Sequence, residues 1–119
     1  MLDKQNLTNE TIKAHDFLAD MYQDDYYPSH LVAKIEQILL QLCVDIETHK
    51  PTSVAEFCKY SHPAVEKIND LEDEFDEHDS ELETVARECM GENFAIIAQA
   101  YGLTLTGDDL EEIIAPREW

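Results

Sequence analysis

The sequence predicts an all-α protein: a single-domain bundle of about five to six helices around a central helix at about residues 29–48. Three observations predict it. Apolar residues recur every three or four positions almost throughout, and no segment alternates with a period of two. Only three Gly and four Pro interrupt 119 residues, which leaves little room for long irregular stretches. Apolar residues make up 44% of the chain, an ordinary share for a globular protein. No internal repeat or long linker divides the sequence, so residues 1–119 are expected to form one domain.

The first helix is predicted over residues 9–22, with Thr8 or Asn9 as N-cap and Ile12, His15, Leu18, Ala19 and Tyr22 sharing one face. The stretch QDDYYP ends it, because the residue before Pro28 disfavours helical backbone. The central helix starts near Pro28, where a missing N–H costs little. Leu31, Val32, Ile35, Ile38, Leu39, Leu42, Cys43 and Ile46 form one continuous stripe along it. Ile35, Leu39, Leu42 and Ile46 are expected to be buried. Ser53 with Glu56 fits a capping box and opens a short helix to about Tyr60. Ser61 is expected to cap the next helix, with Pro63 in its first turn, Val65, Ile68, Leu71 and Phe75 along its apolar edge, and an end near Glu77. Ser80 with Glu83 reads as a second capping box, opening a helix to about Tyr101 that Gly91 is placed to kink or divide. Gly102 followed by Leu103 stops it, and Thr106 caps a last short helix.

The charge balance is extreme. The chain holds 27 acidic and 8 basic residues, for a formal net charge of −19. Residues 70–83, DLEDEFDEHDSELE, carry nine carboxylates in fourteen positions and no Lys or Arg. Such a surface repels nucleic acid and anionic membrane and favours cations or a basic protein. No apolar run is long enough to span a bilayer, and MLDKQNLTNETIK lacks the apolar core of a signal peptide. The three cysteines, Cys43, Cys58 and Cys89, are odd in number and form no CxxC pair, which fits a reducing cytoplasm.

Four strings, MYQDDYYPSHLVAKI, SHPAVEKINDLEDEFDEHDSELETVARE, QAYG and APREW, together resemble a family of small, acidic, mostly helical bacterial proteins classed as a domain of unknown function. The resemblance spans about residues 20–119. It implies a stand-alone bacterial protein with an all-helical fold, and it carries no activity and no catalytic residues.

Chemical motifs are sparse. A helical di-iron site needs inward Glu-x-x-His pairs, and the sequence has none. Asp45 with His49, His62 with Glu66 and Glu74 with His78 come nearest, at i, i+4. The 70–83 run lacks the central Gly and acid spacing of an EF-hand loop. Cys58, beside Lys59 and four residues before His62, is the one thiol with a polar setting. No catalytic residue, metal site or cofactor is therefore expected. Two readings compete. The first is a non-enzymatic binding protein that engages a basic protein, in the manner of an immunity protein or a nucleic-acid mimic. Its candidate contacts are Asp70, Glu72, Asp73, Glu74, Asp76 and Glu77, with Tyr22, Tyr26 and Tyr27 as an aromatic patch. The second is a small enzyme or metal-binding protein built on a pocket of histidines and carboxylates.

Overall fold

The computed structural model describes residues 2–119, and helices account for 65% of the protein. Among the described residues there are seven α-helices and no strand: α1 Glu10–Ala14, α2 Ala19–Tyr22, α3 Ser29–His49, α4 Val54–Asn69, α5 Glu72–Glu77, α6 Thr84–Ala100 and α7 Asp109–Ile113. This is the all-α bundle the periodicity predicts. No described helix is long and apolar enough to cross a membrane.

The long helix α3 forms as its stripe requires. Leu31, Val32, Ile35, Leu39, Leu40, Leu42, Cys43 and Ile46 are all buried. Helix α4 packs against α3 and α7, while α6 meets α1, α2 and α7. One core joins all of them and includes Phe57, Phe75 and Phe94, each fully buried.

Four predicted boundaries move: the N-cap position of α7 is Asp108 rather than Thr106, with no side-chain cap, and the other three shifts each have a physical reason. The element expected over residues 9–22 divides into α1 and α2. Asn9 does cap α1, its side chain accepting from the Ile12 amide. The chain then turns through Leu18 at φ 55°, ψ 34°. A left-handed non-Gly residue costs about 1–2 kcal/mol. Burial of Phe17 and Leu18 offsets it, as does Asn93, whose Oδ1 accepts from the Leu18 amide at 3.3 Å and from His15 Nε2 at 2.7 Å.

Ser61 does not start a new helix. Helix α4 runs straight through Pro63, because Phe57, Cys58, Ser61, Ala64, Val65 and Ile68 make one uninterrupted buried stripe and Pro63 lies on the exposed flank. The Ser53 capping box at its start is formed, with Ser53 Oγ accepting from the Glu56 amide at 3.2 Å. Helix α4 ends at Asn69, and the chain bends at Asp70 and Leu71 before α5.

The second capping box is absent. Helix α6 starts at Thr84, its N-cap position is Glu83, and no side chain caps it. Ser80 instead lies in a loop entered through Asp79 at φ 58°, where the Ser80 amide donates to Phe75 O at 2.9 Å. Gly91 leaves α6 unbroken. Gly102, at φ 93°, closes α6, and the Leu103 amide donates back to Ala98 O.

Candidate functional site

Residues 70–83 do not form one charged helix. Only 72–77 are helical. Like charges at i, i+4, Glu72 with Asp76 and Asp73 with Glu77, oppose a longer helix, and acids at a helix C-terminus oppose its dipole. Phe75 is buried and fastens α5 to the core. The loop that follows alternates: Ser80 and Leu82 turn inward while Glu81 and Glu83 face solvent, as extended backbone dictates.

This arrangement leaves seven of the nine carboxylate residues exposed, with Glu72 and Glu74 half-buried, and the set largely uncompensated. Of the nine, Glu74 alone is in an ion pair among the described residues, with Lys34 Nζ at 2.7 Å. Arg87 makes no ion pair there; its contact is Thr84 Oγ1 at 3.4 Å. Its side chain makes no ion pair with Glu83, four residues before it, although the Arg87 amide donates to Glu83 O at 2.8 Å.

A cleft of about 470 Å³ opens beside α5. Glu72, Asp73 and Asp76 of α5 form one wall, Ser80, Glu81, Leu82 and Glu83 of the loop another, and Arg87 of α6 and Glu118 and Trp119 close it. Asn69 brings the last wall into place, its Nδ2 donating to Pro116 O at 3.0 Å and its Oδ1 accepting from the Glu118 amide at 2.9 Å. Of the six candidate acids, Glu72, Asp73 and Asp76 line the cleft; Asp70, Glu74 and Glu77 do not.

Three residues that line the cleft each carry a buried side-chain polar atom without a hydrogen-bond partner among the described residues: Glu72 Oε1, Ser80 Oγ and Trp119 Nε1. Ser80 is 1% exposed and Trp119 8%. The Glu72 carboxyl is held above the usual carboxylate range, first by burial and then by Glu118 and Asp73.

The tyrosines separate. Tyr27 is buried, sealing the corner before α3, and its ring meets Tyr26 edge-on at 5.1 Å. Tyr26, 39% exposed, lies beside the acidic loop. Both hydroxyls are pushed up, first by burial and then by Glu83, with Glu81 adding to the effect at Tyr26. Val85 is also exposed at the start of α6. Tyr22 belongs elsewhere, donating to Glu36 Oε1 of α3 at 2.9 Å.

The histidines and cysteines serve the fold. Cys58 Sγ and His62 Nε2 both donate to Glu112 O, at 3.7 and 2.7 Å, and Ser61 Oγ donates to Ile113 O at 2.9 Å. These bonds dock α7 on α4. Burial, then Glu112 and Asp109, raises the Cys58 thiol, the reverse of what an activated nucleophile needs. Burial pushes Cys43 up to about 12. All three cysteines are free and buried. His49 stacks on Tyr60 with ring centroids 5.0 Å apart, and His78 Nδ1 donates to Glu74 O. Among the described residues no three His, Cys, Asp or Glu side chains converge as a metal site.

Sequence reasoning missed Ser80 and Trp119 as parts of a site. Ser80 carried a local signal for a cap and none for burial, and Trp119 reaches the cleft only through contacts about fifty residues apart in sequence. Comparison with known proteins adds one finding: the model of the family described as "Family of unknown function (DUF5713)" matches residues 11–119. No curated protein and no solved structure matches the chain.

Proposed function

The chain belongs to DUF5713, a family of unknown function, and with no reaction inherited from that kinship we propose that it is a non-enzymatic binding protein whose acidic face docks a basic protein. One observation carries this reading: eight of the nine carboxylates in residues 70–83 have no ion-pair partner within the described chain. Exposed Tyr26 and Val85 flank that face. Uncompensated like charge costs folding energy and contributes nothing to a core. It does raise the local concentration of an oppositely charged partner and steer its approach. An exposed tyrosine beside it adds the apolar, amphipathic contact that interfaces favour. A toxin-neutralising role, or mimicry of nucleic acid toward a DNA-binding protein, are concrete forms of the same docking. A cytoplasmic setting fits three free thiols.

The test is kinetic. A partner captured from the native cell is purified and its binding measured at two salt concentrations. Neutralising the exposed acids together, as Asp73→Asn, Asp76→Asn, Glu77→Gln and Glu81→Gln, is expected to slow association about tenfold and to change dissociation much less. Raised salt is expected to slow the parent in the same way. Equal association rates for parent and variant, with no salt dependence, would overturn the docking reading.

A further inference from the structure

Residues 2–8 are fastened to the bundle at two ends, and by side chains. The Leu2 amide donates to Gln37 Oε1 at 2.8 Å, and Gln37 Nε2 donates back to Leu2 O at 2.9 Å. At the other end the Thr8 amide donates to the Glu47 carboxylate at 3.0 Å. Between these ends Lys4 Nζ donates to His15 O at 2.7 Å and Gln5 Nε2 to Lys13 O at 3.2 Å. No backbone–backbone hydrogen bond joins residues 2–8 to any later described residue, and Leu7 alone among them is buried. Side-chain ties and little buried apolar surface put a segment at the low end of a protein's local stabilities. Asn9 has ties of its own, capping α1 and donating to Ala100 O at 2.7 Å, so the chain from Asn9 onward does not depend on the segment before it.

Gln37 and Glu47 stand ten positions apart on α3, about 15 Å along its axis. The segment therefore runs beside α3, in the same direction. The face it crosses carries Leu40 and Val44, about 100° and 140° round the helix from Leu39 and the main stripe. Leu40 is nevertheless only 2% exposed, and Val44 is half-buried against the core. Two cavities flank the segment. One of about 340 Å³ is lined by Lys4, Phe17 and Glu36, and one of about 350 Å³ by Thr8, Glu47 and Tyr101.

We infer that residues 2–8 form a strap that opens as one unit about Asn9 while the bundle stays folded, and that opening joins the two cavities into a single groove along the Leu40 and Val44 face of α3. Neither step depends on the docking reading above.

Amide hydrogen exchange reads the opening. The Leu7 amide donates to Lys4 O within the strap, and the Thr8 amide to Glu47. Both are expected to exchange through one common opening that denaturant barely alters, whereas the Leu39 and Leu42 amides follow global unfolding and its steep slope. Leu39→Ala weakens the closed and open forms alike. It is expected to speed the core amides about thirtyfold or more and to leave Leu7 and Thr8 within about twofold of the parent. Gln37→Ala cuts the far end of the strap and is expected to speed the Leu7 and Thr8 amides about tenfold. Thiol labelling reads the groove. A thiol introduced as Leu40→Cys is expected to react about tenfold faster or more than Cys43 of the same chain, which faces the core and waits for global unfolding.

Each contrary outcome has a distinct meaning. A denaturant slope for Leu7 and Thr8 equal to that of the core, or equal speeding of all four amides by Leu39→Ala, makes the segment part of the bundle and overturns the strap. A change of less than about twofold at Leu7 and Thr8 in Gln37→Ala makes the two ends independent and overturns opening as one unit. Labelling of Leu40→Cys no faster than that of Cys43 overturns the groove.

Discussion

Glu47 and Glu72 are the same residue type, each partly buried on a helix, with opposite surroundings. Glu47 on α3 accepts from the Thr8 amide at 3.0 Å, the Asn9 amide at 3.2 Å and the Tyr101 hydroxyl at 2.6 Å. Burial alone would raise its pKa, but these donors together bring it below the ordinary carboxylate value. Glu72 on α5 has one buried oxygen without a partner and two acids nearby, and its pKa goes up. The Glu47 region is complete: its donors come from both ends of the fold and tie the segment before α1 to α3 and to the end of α6. The Glu72 region has no such donors: burial, Glu118 and Asp73 all act against its charge. A carboxylate that the chain itself satisfies is a structural tie, and one set among other acids contributes little to the fold.

The core beneath both regions sets the scale for measuring that difference. Leu39 is fully buried at the middle of α3. Leu39→Ala is expected to cost about 2–5 kcal/mol through lost transfer energy and a residual cavity. Chemical denaturation measures it through the shift in midpoint at constant slope. A loss below about 1 kcal/mol would mean that α3 collapses around the gap, and the smaller effects below would then lose their yardstick.

Substitution at the two glutamates breaks or sustains the comparison directly. Glu47→Ala removes the acceptor of charge-assisted bonds and is expected to cost about 1.5–3 kcal/mol, with Tyr101→Phe costing about 1 kcal/mol. Glu72→Gln is expected to stay within about 0.5 kcal/mol of the parent or to stabilise it. Their pH signatures run in opposite directions. The folded Glu47 carboxyl has the lower pKa, so its contribution is present above the ordinary carboxylate value and is lost as pH falls through the folded one. Tyr101, Thr8 and Asn9 face it, with the Cys43 thiol nearby. The folded Glu72 carboxyl has the higher pKa, so stability declines as pH rises from the ordinary value through the raised one. Denaturation midpoints between about pH 3 and 6, a window that brackets ordinary carboxylate values, should therefore flatten in Glu47→Gln and steepen upward in Glu72→Gln. Parallel curves for the two variants would erase the distinction.

How much of this was legible in the sequence differs between the two regions. The stripe from Leu31 to Ile46 announced α3 because its signal is local and repeats over several turns. Asn9, Ser53 and Gly102 announced their ends for the same reason. Two local signals misled. Ser61 and Pro63 imitate a helix start, and the longer apolar stripe of α4 overrides them. Ser80 and Glu83 imitate a capping box, yet Leu82 is drawn into the core before helix geometry begins. The acidic run was legible as charge; its division into a short helix and an alternating loop depends on Phe75 and Leu82 finding the core. The cleft was not legible, because Asn69 must first hold the 116–118 segment before Trp119 can meet Ser80. Such meetings depend on tertiary packing, and no local pattern encodes them.

The smallest expected effect tests whether the two regions are independent. Helix α6 links them, since Tyr101 just beyond its end bonds Glu47 and Arg87 in its first turns borders the cleft. Gly91 lies between, buried and within helical backbone. A methyl group added there would meet Ile114 Cδ1 at 3.9 Å, an ordinary contact. Gly91→Ala is therefore expected to stabilise the fold by about 0.5–1 kcal/mol, from helix propensity and reduced freedom of the unfolded chain. Thermal unfolding measures the gain. Because the substitution leaves the donors of Glu47 and the acids around Glu72 in place, the pH signatures of Glu47→Gln and Glu72→Gln should be the same in its background. A stiffer α6 that also changed either signature would show the two carboxylates to be coupled through the helix. Unchanged signatures with raised stability would leave Glu47 and Glu72 as separate devices.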